Sequence, residues 1–223
     1  MTTPRPSRLP ADPGDPHRYG VYLRPDPATC WAVTQVTAAV RAQYGLVSAG
    51  AFPPHATLVG SQHVPGPVED LVTALDEVLR DRPAFPVTNA GPVAMGDGAV
   101  YDVDHHPDGS RNTAFQHLAS AVDRAVAPLT RAPASPEPHP YDPDTWAAHL
   151  SLASHDLLTR PDLVGEVREF IDRLPVAHPA GFLGDTVALY RTTSADWTGR
   201  WWQTLTWQHL RTWRLRPTED EVA

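Results

Sequence analysis

The chain has 223 residues, a formal net charge of −8, 41% hydrophobic residues and 20% charged residues. This is the balance of a soluble globular chain, long enough for one generous domain or two small lobes. It excludes broad, salt-driven binding along a nucleic-acid backbone, which needs clustered cations.

Every one of the 18 basic residues is Arg, a side chain suited to bidentate recognition of a phosphate in a local pocket. The single cysteine, Cys30, leaves no internal disulfide framework and no cysteine-based zinc site. No apolar run reaches the length of a membrane span, and the first residues carry no apolar signal core, so the expected location is the cytoplasm.

Residues 1–16, rich in Pro, Asp and Arg, read as a tail ahead of a single bilobal domain over 17–216, and 217–223 read as an acidic C-terminal tail. His17 to Arg24 alternates and predicts a strand. Pro25-Asp26-Pro27 then opens a helix through about Tyr44, with Val33, Val36, Val40 and Tyr44 at helical spacing and Gly45 as C-cap. His55 to Ser61 predicts a short strand. Val68 to Arg80 is an amphipathic helix with Leu71, Leu75, Val78 and Leu79 on one side, stopped by Pro83.

Phe85 to Val93 predicts one strand, with 99–103 as its hairpin partner across Gly96-Asp97-Gly98. A loop at 105–109 leads to a helix over Arg111 to Leu129. A proline-rich connector follows at 130–144. His149 to Ala153 predicts another short strand. A helix to about Leu174 follows it, then a strand containing 186–190, then a Trp-rich final segment, 201–215, with imperfect alternation.

Two of these strands carry the chemistry. Pro53-Pro54-His55-Ala56-Thr57-Leu58 and Ala147-Ala148-His149-Leu150-Ser151-Leu152 both read His-x-(Thr or Ser)-Leu, 94 positions apart. On a strand, residues i and i+2 share a face, so each imidazole has a hydroxyl beside it. Brought side by side, the strands would supply a general acid–base pair and two donors for an anion.

At these residues the chain resembles the two-histidine phosphoesterases, which include 2′-5′ RNA ligase-like proteins and cyclic nucleotide phosphodiesterases. The resemblance spans roughly Arg18 to Leu215. It implies an α+β fold with two pseudo-symmetric lobes of antiparallel sheet, outer helices and a central cleft. It implies catalytic roles for His55, Thr57, His149 and Ser151, with no metal and no cofactor. The implied reaction is hydrolysis of a 2′,3′-cyclic phosphate or a 2′-5′ phosphodiester of a nucleotide or RNA end, by a chain expected to be monomeric and free of membrane contact.

Which histidine is base and which is acid stays open at this level. Tyr22, Arg24, Trp146, Tyr190 and Arg191 are the candidate substrate contacts, since aromatic faces stack on bases and Arg holds phosphate. Packing accounts for most of the other tryptophans, although Trp201 and Trp202 cannot both face a core. Asp102-Val103-Asp104-His105-His106 is the most metal-like run, yet it lacks the helical His spacing of a zinc hydrolase and reads as a solvated loop. Basic residues flanking the motifs are sparse. That disfavours tRNA and leaves two alternatives: the same cleft acting on a phosphorylated small-molecule intermediate, or a non-catalytic binder of nucleotides or RNA ends.

Overall fold

A computed structural model of the chain describes residues 17–131, 147–197 and 199–217. The predicted N-terminal tail, nearly all of the C-terminal tail, most of the proline-rich connector and Trp146 lie outside the described residues.

The ordered elements are β1 (His17–Leu23), α1 (Pro27–Tyr44), β2 (Ala56–Gln62), α2 (Val68–Leu79), β3 (Phe85–Thr88), β4 (Pro92–Met95), β5 (Gly98–Asp102), α3 (Thr113–Val126), β6 (His149–Ala153), α4 (Val164–Asp172), β7 (Gly181–Gly184), β8 (Thr186–Thr193) and β9 (Thr206–Arg214). Local chemistry sets the helix ends. The Asp26 side chain accepts the Thr29 N–H at 2.8 Å, Pro27 occupies the first turn, and Gly45 at φ 72° ends α1 with its N–H on the Arg41 carbonyl at 2.9 Å. Asn112 caps α3 by accepting the Phe115 N–H at 3.2 Å.

Two elements depart from the sequence expectation. The single strand predicted over 85–93 is two strands, separated near Gly91, which stands at φ 96°. β3 pairs with β7, whereas β4 forms the hairpin with β5. The helix predicted to run to Leu174 is regular only from Val164 to Asp172, because Pro161 interrupts its approach with short 3-10 turns.

The strands form a four-stranded sheet in the order β2-β1-β8-β9, a three-stranded sheet β4-β5-β6 and the β3-β7 pair, all antiparallel. Each motif strand is therefore an edge strand of its own sheet, and β2 and β6 touch each other. The helices cross over between the halves. α1, which leads to β2, packs against β6, while α3, which precedes β6, packs against β2. As a result one continuous core joins both halves, running from Val21, Leu23 and Leu58 through Phe115 to Leu150 and Leu152. Among the described residues, no helix is long and apolar enough to cross a membrane.

Candidate active site

The faces of the four-stranded sheet follow from its register. Val21, Leu23, Val187 and Leu189 face the core. Tyr22 pairs with Thr57 on one side and Ala188 on the other, so these three share the opposite face. Tyr190 stands on that face too, opposite Gly20. On the second sheet, His149 pairs with Asp102 and Ser151 with Val100, while Leu150 turns into the core between them. The cleft between the sheets is lined by His55, Ser151 and Tyr22 together with Ser48, Phe52, Ser61, Ser154, His155, Trp197 and Trp201.

The two histidines are held in the same way. His55 Nδ1 lies 2.7 Å from the Pro53 carbonyl, and His149 Nδ1 lies 2.8 Å from the Ala147 carbonyl. A carbonyl can only accept, so each Nδ1 carries the proton and each Nε2 is left for chemistry. The spacing, a carbonyl two residues upstream and a hydroxyl two residues downstream, is the same at both motifs.

His55 is held in an aromatic, solvent-poor setting. His55 sits just ahead of β2 with the ring edges of Tyr22 and Phe52 against it, at centroid distances of 4.6 and 4.9 Å. Burial lowers its pKa to about 4, the hydrogen bond that Nδ1–H donates to the Pro53 carbonyl opposes the shift, and the nearby His149 adds to it. The ring keeps some exposed surface toward the cleft, but the protein around it displaces the solvent that would stabilise an imidazolium. His55 is therefore neutral at pH 7.

Tyr22 shapes this environment. Its hydroxyl is hydrogen-bonded to the Ser61 backbone, and burial drives its phenol far above the ordinary range. Ser61 takes a left-handed backbone at φ 42°, which costs a non-glycine residue about 1–3 kcal/mol and turns the end of β2 toward the phenol. Gly20 is needed for the same ring, because a Cβ there would collide with the Tyr22 hydroxyl. Gly20→Ala is expected to displace Tyr22 and to destabilise the fold by about 1–3 kcal/mol, read as a lower urea midpoint at unchanged slope.

The remaining sequence candidates fall in different places. The Tyr190 phenol is hydrogen-bonded to Arg24, and burial raises its pKa despite that cation. Arg191 lies on the other face of β8 from Tyr190 and donates to Gln208 Oε1 at 2.6 Å. Asp102, though opposite His149, turns its Oδ2 to His105 Nδ1 at 2.9 Å, while the buried Asp104 pairs with Arg111 at 2.9 Å. Among the described residues, no three His, Cys, Asp or Glu side chains gather as a metal site.

Several cleft residues were not legible in the sequence. Phe52 makes edge contacts with His55, Tyr190 and Trp207, so a row of rings leads from the imidazole to the half-exposed Trp207 indole. Trp201 lines the cleft and Trp202 is buried behind it, which resolves the adjacent pair. A Trp in an irregular segment carries no periodicity that would assign it to either side.

No protein-family model matches the chain, and no curated protein matches it. Solved structures do. TT0787 of Thermus thermophilus superposes with a TM-score of 0.53 at 14% identity, over 91% of this chain and 100% of that one. E. coli LigT complexed with 3′-AMP gives a TM-score of 0.51 at 15% identity, over 91% and 99%. A structure described as a phosphoesterase gives 0.51 at 16% identity, with the same coverage. The likeness extends over nearly the whole chain in both directions, so the chain shares the fold of these structures, an α+β fold of antiparallel sheets with helices outside.

Proposed function

We propose that the chain is a phosphodiesterase that hydrolyses a 2′,3′-cyclic phosphate or a 2′-5′ phosphodiester of a nucleotide or RNA end. The observation that carries this reading is the matched pair of imidazoles, each tied through Nδ1 to a carbonyl two residues upstream, with one of them held neutral. The neutral His55 is placed as the base, which leaves the acid role to His149.

In this scheme His55 Nε2 takes a proton from water, and the water oxygen attacks phosphorus. The bond from phosphorus to the ribose oxygen breaks, and His149 Nε2 returns a proton to that oxygen. The product is a phosphomonoester. Thr57 and Ser151 donate to the non-bridging oxygens as negative charge grows on them. Neither hydroxyl is held by another group among the described residues, which leaves both for a ligand.

The aromatic row supports a substrate that carries a base. Its rings offer π faces and edges beside His55, whose own contacts are already aromatic. Crystals of the similar LigT hold 3′-AMP and ATP, which are ligands of the same class.

The test is hydrolysis of a panel of 2′,3′-cyclic nucleotides and 2′-5′ dinucleotides in excess chelator, with the position of the product phosphate read by NMR. Turnover is expected, with a single phosphate position in the product. A well-folded protein that turns over no member of the panel would overturn the reading.

A further inference from the structure

The cleft holds a hydroxyl pair that the two motifs do not include. Ser48, from the segment leading to the first motif, lies with its Oγ 3.1 Å from the Oγ of Ser154, which follows the second motif strand. Asp156 fixes the pair from behind. Its Oδ2 accepts the N–H groups of Val47 at 2.6 Å and Ser48 at 2.5 Å, and its Oδ1 accepts the Trp202 Nε1–H at 2.8 Å. The Asp156 N–H in turn donates to Ser48 Oγ at 3.1 Å. One carboxylate thus ties together three segments that are far apart in sequence.

Each hydroxyl has one O–H to donate. The bond between the two oxygens uses one of them, in whichever direction it runs. The second O–H has no acceptor among the described residues, and both serines line the cleft beside His55 and Ser151. A polar hydrogen facing a cleft without an acceptor fits an anionic ligand that supplies one.

We propose that the Ser48–Ser154 pair is a third hydrogen-bond donor to the phosphate group bound in the cleft, alongside Thr57 and Ser151. This rests on the reading of the cleft as a phosphate-ester site, but it makes a claim about binding and not about turnover. It also has a signature of its own. Loss of either serine frees the other from their mutual bond, so one donor remains. Loss of both removes it.

The experiment is calorimetric titration of inorganic phosphate and of 3′-AMP into wild type, Ser48→Ala, Ser154→Ala and the double variant. Each single variant is expected to weaken affinity about twofold to threefold, and the double variant about tenfold to a hundredfold, the range for a hydrogen bond to a charged group. Ser48→Ala combined with Ser154→Thr keeps a hydroxyl and is expected to bind like a single variant, which separates a donor role from a packing role. A double variant that binds as wild type overturns the proposal, as do two single losses that multiply to the double loss. Absence of phosphate binding by wild type overturns it as well. The expected pattern in a protein that hydrolyses nothing would keep the donor pair and discard the phosphodiesterase reading.

Discussion

His55→Ala and His149→Ala are each expected to lower kcat on a 2′,3′-cyclic nucleotide by about 10²–10⁴-fold, the range for loss of a positioned acid or base. KM is expected to move far less, because the proposed phosphate donors Thr57 and Ser151 stay in place. The double variant is expected to lose little more than the worse single variant, since a proton taken up by one imidazole must be balanced by one given by the other. The fold should tolerate His149→Ala, whose ring bonds, among the described residues, only to the Ala147 carbonyl. Urea melts of each variant check that lost activity is not lost structure. Independent, multiplying losses would mean that the two rings do not work as one acid–base pair.

The second large effect is on pH. Burial holds His55 at about 4, so the proposed base is already deprotonated in mildly acidic solution. The acid limb of kcat/KM is therefore expected near pH 4, well below the value of about 6.5 for an ordinary imidazole. The same shift has a consequence for stability. The folded state binds this proton less readily than the unfolded chain, so stability is full above about pH 6.5 and falls as the solution is acidified toward 4. The loss is at most about 3 kcal/mol, and smaller to the extent that cleft water reaches the ring. His55→Gln is expected to flatten that part of the stability profile, measured by urea unfolding between about pH 7 and 4. An acid limb near the ordinary imidazole value would mean that the cleft does not desolvate His55.

Core positions on the motif strands explain why these histidines are so fixed. Leu58 and Leu150 are fully buried between the sheets and the crossed helices, each on the strand of one motif. The alternation that turns them inward also turns Thr57 and Ser151 outward. Core packing and the proposed phosphate contacts occupy opposite faces of the same strands.

Features that depend on neighbours along the chain were legible from residue order alone. The two His-x-(Thr or Ser) motifs, the caps around α1 and the hairpin at Gly96 all rest on spacing of a few residues, which backbone geometry converts directly into direction. The resemblance carried by the two motifs also pointed to the fold that the solved structures share.

Whatever depends on contacts between distant segments emerged only on folding. The neutrality of His55 comes from Tyr22 and Phe52 closing over it, and no local pattern encodes that burial. The break at Gly91 sends β3 and β4 to different partners, although the run from 85 to 93 looks uniform in sequence. Tyr190 and Arg191 are adjacent in sequence and fall on opposite faces of β8, and the strand register fixes which of them meets the cleft side. The join of Ser48 to Ser154 through Asp156 spans more than a hundred residues. Such contacts are chosen by the packing of the whole core, in which α1 backs the second motif and α3 backs the first, and the periodicity of any one segment is silent about them.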